Sequence, residues 1–373
     1  MSESKPEAPL MIGVSGLRGI VGESLTPEVA MRFAGAFGAW LHDRLGRQPT
    51  VVVGRDGRAG GDELQRIVVD ALLSAGCNVV DIGRAMTPTV GRLANHESSG
   101  YEPEAGVVLT ASHNPAEWNG IKLLLCEEME DMSFVTAAPS AETAAEIIQA
   151  YHDGRRSDAS TPGLRFEIAD ASAGHANAVV RAMNSTGVSF DSRQASVVVD
   201  SVNASGSEGA ACLFDRLGVD STQLHGDNSG IFPHTPEPTA ENLSGEGGLC
   251  DAVPGLKADV GFAQDPDGDR LAIVDETGRY IGEEYTLALC AVSILEAHQS
   301  RGREHAGTET EEIVLCANLS TSRMIDDIAA KYSASVVRTA VGEANVVEAM
   351  KRLKREGKAV LLGGEGNGGV IWP

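Results

Sequence analysis

The sequence has 373 residues, a formal net charge of -23, 43 glycines and 42% hydrophobic residues. At roughly 150 residues per domain, this length predicts two or three domains, each large enough to have its own core. The negative charge repels polyanions, so it excludes a surface for nucleic acid or for an anionic membrane. An anionic metabolite is compatible with the chain only where a few cationic side chains converge.

The cysteines and the first residues of the chain indicate the cellular compartment. The six cysteines form no CxxC pair and show no zinc-ligand spacing, which favours buried, reduced thiols. The opening residues MSESKPEAPL lack the basic start and apolar centre of a signal peptide. No run reaches the ~18 apolar residues of a membrane helix. We therefore expect a cytoplasmic protein.

Six apolar runs, each ending at a polar or glycine-rich turn, are predicted to form strands. Continuous apolar runs are typical of strands buried on both faces, so we expect sheets sandwiched between helices. Helical patterns separate several of the runs, for example at 62–76, 208–218 and 321–332. In open α/β sheets, ligands bind at the carboxyl ends of the strands, where these turns lie. The six runs with their turns are 51–61, 106–115, 197–207, 260–270, 313–322 and 359–369.

Three of these runs, starting at Val51, Val197 and Ile313, look like variants of one strand-turn-helix unit. This loose repeat predicts three α/β domains in tandem. A composition shift at 152–163 marks one linker, and DETGRYIGEE at 275–284 is typical of a hairpin turn followed by a helix start. The predicted domains are 1–158, 159–280 and 281–373.

The first candidate site is the glycine-rich turn GVSGLRG at 13–19. Its glycines allow the backbone to approach a ligand closely, and the guanidinium of Arg18 suits a phosphate. Strings with this glycine spacing are common, so the turn predicts little when taken alone.

The second candidate site is TASHNP, which places Ser112 directly after an apolar run. A hydrolase triad is disfavoured, because no GxSxG elbow surrounds the serine and adjacent residues rarely align as nucleophile and base. A serine at a strand end instead suits a phosphoryl carrier, held by N–H groups of the turn and by a divalent ion. His113 or Lys122 would then move protons or neutralise developing charge. His113 is equally compatible with a purely structural role in the turn.

The third candidate site is DPDGDR, which puts Asp265, Asp267 and Asp269 within five residues. Their mutual repulsion is costly without a cation, and their hard oxygen ligands suit Mg2+ or Ca2+. A calcium loop is disfavoured, because Arg270 stands where that loop needs glycine and an apolar run follows. A solvated turn is a second interpretation. A phosphoserine at Ser112 would complete this carboxylate site.

The fourth candidate site is GGEGNGG at 363–369, which presents Glu365 and Asn367 among five glycines. Such a loop either turns the chain tightly or offers an acceptor and an amide to sugar hydroxyls. Both roles are compatible with one loop.

In this order, the four motifs resemble those of the α-D-phosphohexomutase family, which includes phosphoglucomutases, phosphomannomutases and phosphoglucosamine mutases. The likeness covers nearly the whole chain, and it extends to GRDGR (54–58), PEPTAENL (236–243) and RTAVGEANV (338–346). It implies tandem three-layer α/β/α domains with mixed, mostly parallel sheets. It also implies a fourth domain, absent from this chain, whose RxSGTxP-like loop grips the other phosphate of the substrate.

The resemblance implies a role for each candidate residue. The implied ligands of one Mg2+ per chain are Ser112 as a phosphoserine, Asp265, Asp267 and Asp269. The residues implied in phosphate support and in acid/base catalysis are Arg18, Arg270, Lys122 and His113. The residues implied at the sugar are Glu365, Asn367 and, in a neighbouring specificity loop, Gly342.

The implied reaction interconverts a hexose 6-phosphate and a hexose 1-phosphate through a hexose 1,6-bisphosphate, which also acts as activator. The partner is then a small sugar phosphate, and both a monomer and a homodimer stay open. GEGNGGV, with Asn367 where many relatives have serine, resembles archaeal-type phosphoglucosamine and phosphomannose mutases. We therefore predict a phosphoglucosamine mutase, with phosphomannomutase or phosphoglucomutase activity as the alternative.

Two other classes compete with this interpretation. The missing fourth domain favours an inactive sugar-phosphate-binding chain, whereas the intact Ser112 and the three aspartates favour an enzyme. A metal-dependent phosphatase with Asp265 as nucleophile ranks last, because it leaves TASHNP unexplained.

Overall fold

The computed structural model describes residues 9–98, 100–130, 133–186, 195–304 and 312–372. These residues divide into two compact units. The first takes the described residues up to Ala171 together with Asn228–Thr235, and the second takes Ser172–Asp227 and the residues from Pro236 onward. Among the described helices, none combines the length and the apolar character that crossing a membrane requires.

The first unit is built around one eight-stranded sheet. Its strands are β1 (Leu10–Gly13), β2 (Gly16–Ile20), β3 (Thr50–Arg55), β4 (Asn78–Arg84), β5 (Ala105–Leu109), β6 (Trp118–Glu128), β7 (Phe134–Ala137) and β8 (Arg165–Glu167). Its helices are α1 (Pro27–Leu45), α2 (Gly61–Ser74), α3 (Thr87–Leu93) and α4 (Ala141–His152). The strand order is β1-β2-β6-β5-β3-β4-β8, with β7 paired to β6. The strands β5, β3, β4 and β8 run parallel, and β6 joins β5 antiparallel.

Helices cover both faces of this sheet. On one face, Phe37 of α1 and Leu72 of α2 share a core with Val51 of β3. On the other face, Val90 of α3 shares a core with Val52. Because neighbouring residues of a strand point to opposite faces, β3 is buried on both of them, as its continuous apolar run predicts.

The start and end of α1 follow from local sequence. The Thr26 side chain accepts a hydrogen bond from the backbone N–H of Val29 at 3.3 Å, and Pro27 occupies the first helical position, where its missing N–H is harmless. Gly46, at φ 64°, ends the helix in the left-handed conformation that glycine adopts without strain.

The second unit contains two four-stranded sheets. The strands of the first sheet are β9 (Ser196–Asp200), β10 (Asp220–Leu224), β11 (Val260–Gln264) and β12 (Leu271–Asp275). The strands of the second are β13 (Ile313–Asn318), β14 (Ser335–Thr339), β15 (Ala359–Gly364) and β16 (Val370–Ile371). Their orders are β10-β9-β11-β12 and β14-β13-β15-β16, and only the edge strands β12 and β16 pair antiparallel within the described residues. The remaining helices are α5 (Ala171–Thr186), α6 (Gly206–Leu217), α7 (Ala240–Leu243), α8 (Leu249–Leu256), α9 (Glu284–Glu304), α10 (Met324–Lys331) and α11 (Glu343–Arg355).

The three sheets with their helices confirm the predicted α/β architecture and its mixed sheets. All six strand predictions coincide with strands, and the hairpin turn expected after Asp275 leads into α9 at Glu284. The first sheet continues past the boundary predicted at residue 158, because β8 pairs with β4. The exact domain limits stay predictions.

Two expectations about burial are wrong in part. Along β11 only alternate residues are buried, and Phe262, on which Phe214 of α6 stacks at 6.3 Å, is half-buried. All six cysteines are free, but Cys290 on α9 is exposed. The expectation of buried thiols holds for Cys77, Cys250 and Cys316.

Candidate active site

The loop between β5 and β6 holds Ser112 in an unusual conformation. Ser112 is 5% exposed and has a φ of +52°, a region that residues other than glycine rarely occupy. Its backbone N–H donates to the Thr110 hydroxyl at 2.7 Å, and the N–H of Asn114 donates to the Ala111 carbonyl at 3.2 Å. The Ser112 hydroxyl lies 3.3 Å from Nδ1 of His113. The serine is therefore fixed at the carboxyl end of a fully buried strand, with an imidazole beside it.

Next to β5 in the sheet lie β6, which carries Lys122, and then β2, which carries Arg18. Arg18 on β2 is opposite Gly120 on β6, and the N–H of Thr110 donates to the Gly120 carbonyl at 3.2 Å. A Cβ atom at Gly120 would come within 2.9 Å of the Arg18 side chain and 2.7 Å of the Thr110 carbonyl. Position 120 therefore has room for glycine only. Lys122, two residues further along β6, is 6% exposed. The register thus brings Arg18, Lys122 and the Ser112 loop into one corner of the first unit.

The loop between β11 and β12 gathers the three aspartates. Carboxylate oxygens of Asp265, Asp267 and Asp269 lie within 4.8 Å of one another, and the first two residues are completely buried. Burial, followed by the charges of Asp267 and Asp269, raises the pKa of Asp265 well above its usual range, while Arg270 opposes the shift. A divalent cation would remove this repulsion, and an all-oxygen ligand set fits Mg2+.

The calcium-loop alternative does not fit the backbone of this loop. Gly268 takes the turn at φ 63°, the N–H of Arg270 donates to the Asp265 carboxylate at 3.2 Å, and β12 follows at once. An EF-hand loop would lead into a helix instead. Ser205, before α6, holds the loop from a neighbouring turn, because its hydroxyl donates to the Pro266 carbonyl at 2.7 Å.

The glycine-rich loop after β15 places Glu365 among groups from three strand ends. One Glu365 carboxylate oxygen accepts from the Asn318 amide at 2.5 Å and from the backbone N–H of Gly342 at 3.1 Å. The Asn367 side-chain oxygen accepts from the N–H of Gly369 at 3.2 Å. The structure therefore joins Gly342 directly to Glu365, and Asn367 shapes its own loop. A role of these three residues at a sugar stays a prediction.

The same loop touches the end of the aspartate loop. The N–H of Leu271 donates to the Gly368 carbonyl at 3.2 Å, and a Cβ atom at Gly368 would come within 2.5 Å of the Leu271 carbonyl. Gly368 has a φ of +84°, which glycine adopts freely. Arg270 and Glu365 are thus presented by two loops in contact.

Several polar residues outside the predicted set of site residues lie around these loops. Arg338 donates to the carbonyls of Asn318 and Thr321 at 2.9 and 2.8 Å, which shapes the turn after β13. Burial raises the pKa of Glu283 to about 7, with Arg270 opposing the shift and Glu237 adding to it. The position of Asn318 directly after an apolar run is a signal of the same kind as that of Ser112. The side chains that support the loops by hydrogen bonds are Arg58, Ser205, Asn318 and Arg338. Arg58 and Arg338 stand in the family-like stretches 54–58 and 338–346.

The candidate residues fall into the two units. Arg18, Ser112, His113 and Lys122 lie in the first unit. Those of the second unit are Asp265, Asp267, Asp269, Arg270, Gly342, Glu365 and Asn367. A cation shared by a phosphorylated Ser112 and the aspartates stays a prediction.

Comparisons with known proteins identify the family. The α/β/α domains I, II and III of phosphoglucomutase/phosphomannomutase match residues 9–134, 173–278 and 283–373. A phosphoglucomutase/phosphomannomutase of Thermococcus kodakarensis is 36% identical over 97% of this chain and 73% of its own length. A probable phosphoglucosamine mutase of Methanopyrus kandleri is 35% identical over 97% of this chain and 71% of its own.

A solved structure agrees with these matches. The phosphoglucomutase/phosphomannomutase family protein of Burkholderia thailandensis superposes with a TM-score of 0.74 at 27% identity, covering 97% of this chain and 73% of that one. The chain thus spans somewhat less than three quarters of each of these three relatives. From its three matched domains and this identity, the chain belongs to the phosphoglucomutase/phosphomannomutase family of phosphohexomutases, enzymes of the isomerase class.

Proposed function

We propose that the chain interconverts a hexose 6-phosphate and a hexose 1-phosphate with Ser112 as phosphoryl carrier, and that the preferred sugar is glucosamine. The observation that carries the proposal is the state of Ser112, a buried serine at positive φ with its hydroxyl 3.3 Å from His113. A strained backbone conformation persists only where the surrounding fold maintains it, and such conformations are concentrated at active sites.

In the first half-reaction, a hydroxyl oxygen of the sugar phosphate attacks the phosphorus of phosphorylated Ser112. The bond from phosphorus to the serine oxygen breaks, and the hydroxyl proton passes to His113 or Lys122, which returns it to the departing serine oxygen. In the second half-reaction, the serine oxygen attacks the other phosphate of the bisphosphate, and the serine proton passes through the same base to the sugar oxygen that departs. The sugar phosphate leaves with its phosphate on the other carbon.

The candidate side chains of the two units have tasks that suit this chemistry. Arg18 and Lys122 supply positive charge beside the loop, and phosphoryl transfer depends mainly on such positioning and charge stabilisation. Asp265, Asp267 and Asp269 would hold Mg2+, which would neutralise charge on the transferring phosphoryl group. Arg270 would contact the same group.

Glucosamine is favoured by two observations. Glu365, held between Asn318 and Gly342, offers a carboxylate at the strand ends, and a carboxylate suits an ammonium group as well as hydroxyls. The relative from Methanopyrus kandleri is named a probable phosphoglucosamine mutase, and the one from Thermococcus kodakarensis a phosphoglucomutase/phosphomannomutase. The glycine-rich loop at 363–369, with its Asn367, supports the phosphoglucosamine mutase assignment. Mannose and glucose phosphates are the alternative substrates.

The test measures a phosphoserine and its transfer. The chain is incubated with glucose 1,6-bisphosphate and Mg2+, and Ser112 is followed by mass spectrometry. The 1-phosphates of glucosamine, mannose and glucose are then offered in turn. We expect Ser112 to be phosphorylated and to pass this phosphate on to a sugar phosphate. Turnover should be fastest with glucosamine 1-phosphate.

Each alternative predicts a different result. Equal rates with all three sugars would contradict the substrate assignment. A Ser112→Ala chain that keeps releasing phosphate, together with an inactive Asp265→Ala chain, would instead favour the phosphatase. If Ser112 of the wild type is never phosphorylated, the result favours an inactive sugar-phosphate-binding chain.

A further inference from the structure

Arg58, in the turn after β3, is one of the most deeply buried side chains of the described residues. It is 1% exposed, and its Nε donates to the carboxylate of Asp56, which is fully buried, at 2.7 Å. Burying an ion pair is costly unless the remaining N–H groups also find acceptors. A side chain that bears this cost has a specific task.

The remaining N–H groups of Arg58 point at the loop that carries Ser112. Nη2 donates to the carbonyl of Ser112 at 2.6 Å, and Nη1 donates to the carbonyl of Trp118, the first residue of β6, at 2.6 Å. Nη1 also lies 3.5 and 3.4 Å from two further carbonyls of the loop, those of Asn114 and Pro115. One guanidinium therefore spans the whole turn from Ser112 to the next strand.

These bonds act directly on the conformation of the serine. The Ser112 carbonyl belongs to the peptide that follows the serine, and Arg58 fixes that peptide, while the Thr110 hydroxyl holds the N–H of the peptide before it. Together these bonds help to maintain the φ of +52°. A lysine would keep the charge beside Asp56, but its compact ammonium cannot span acceptors in the fork geometry of a guanidinium.

A segment from much later in the chain covers Arg58. The Phe232 ring centre lies 5.4 Å from the Arg58 guanidinium carbon, a cation–π distance. The carbonyl of Gly230 accepts from the N–H of Ala59 at 3.1 Å, and a Cβ atom at Gly230 would lie 2.0 Å from the Gly57 carbonyl. We call residues 228–235 the covering segment. It closes off the guanidinium and leaves room for nothing larger than glycine at position 230.

We infer that Arg58 is a positioning residue for Ser112, and that the covering segment holds Arg58 in place. The inference rests on the proposed role of Ser112 as phosphoryl carrier. Arg58 touches neither the phosphoryl group nor the sugar in this scheme. It keeps the serine oxygen aligned for attack and departure, and errors of about 1 Å in such alignment slow a reaction by up to roughly 100-fold.

The experiment compares the rate of Ser112 phosphorylation by glucose 1,6-bisphosphate in wild type and in Arg58→Lys, at several bisphosphate concentrations. We expect the maximal rate to fall roughly 10- to 100-fold, with half-saturation changed by less than about twofold. Phe232→Leu and Gly230→Ala keep Arg58 itself and should slow the same step by smaller factors. All rates are measured well below the melting temperature of each variant.

Arg44→Lys is the matched control. Arg44 lies on α1 of the same unit, also above an aromatic ring, with its guanidinium carbon 5.1 Å from the Trp40 ring centre, but its side chain is 50% exposed. Its phosphorylation rate should equal that of wild type.

The outcomes separate this inference from the proposed function. If wild type takes no label, the proposed function fails, and the positioning role falls with it. If wild type takes label and Arg58→Lys takes it as fast, only the positioning role is overturned. Should Arg58→Lys not fold, Phe232→Leu and Gly230→Ala decide: slower labelling supports the inference, and wild-type rates overturn it.

Discussion

The Ser112 loop follows a fully buried strand, and the aspartate loop follows a strand that is buried at alternate residues. Each loop has a different energetic cost. Ser112 bears backbone strain at φ +52°, and it is held by a network of hydrogen bonds from Arg58. The aspartate loop takes its positive φ at Gly268, where it is harmless, and concentrates negative charge instead. The first loop should therefore respond to changes in backbone freedom, and the second to cations and to removal of charge.

The largest expected effect comes from removing a charge from the aspartate loop. Asp267→Asn should lower Mg2+ affinity and mutase rate by at least ~100-fold, because supporting groups around metal ligands alone contribute about 10- to 100-fold. Without Mg2+ the variant should have a higher melting temperature than wild type, since one of the three mutually repelling carboxylates is gone. Titration calorimetry and thermal melts with and without Mg2+ measure both. Unchanged Mg2+ affinity would contradict the claim that the aspartate loop, unlike the Ser112 loop, depends on a cation.

Ser205→Ala tests whether the aspartate loop is also held mechanically. The Pro266 carbonyl loses its hydroxyl donor, so the free energy of unfolding should fall by about 1–3 kcal/mol. Mg2+ affinity should fall by roughly tenfold, because the loop loses part of its support. Urea unfolding and calorimetry measure these quantities. Ser207→Ala is the control, since that hydroxyl, 3.0 Å from the Ala204 carbonyl, bonds within its own turn.

Strain in the first loop is tested by two substitutions at Ser112. Ser112→Gly and Ser112→Ala both remove the hydroxyl, but only glycine adopts φ +52° without strain. The glycine variant should therefore be more stable than the alanine variant by about 1 kcal/mol, measured by urea unfolding. Neither should take phosphate. Equal stabilities would show that the fold does not strain residue 112.

The smallest effect concerns Glu283, whose pKa in the folded chain is about 7. The folded pKa lies above the usual value of 4.5, so the folded state binds the proton more tightly than the unfolded state. The resulting stabilisation is complete below pH 4.5 and is lost as the pH rises through 7. Thermal melts from pH 5 to 8 should show a slope that Glu283→Gln reduces and that Glu276→Gln, on the exposed turn after β12, leaves unchanged.

Much of the candidate site could be predicted from the sequence because its chemistry is local. The acidic motif brings Asp265, Asp267 and Asp269 together through its spacing alone, and an apolar run that stops at a polar turn predicts a strand end. Residue type and short-range spacing carry these signals. The family resemblance, confirmed by three matched domains, rests on the same short motifs.

The supporting residues depend on contacts between distant parts of the chain. Arg58 reaches Ser112 because β3 and β5 are adjacent parallel strands, and nothing in the spacing of 54 residues indicates that pairing. Phe232 reaches Arg58 from still further along the chain, and Asn318 meets Glu365 because β13 pairs with β15.

Residue types and their local spacing were enough to predict the candidate side chains and the strand ends that present most of them. The side chains that hold these candidates became evident only from the fold, because strand order and register set long-range neighbours and no local pattern encodes either.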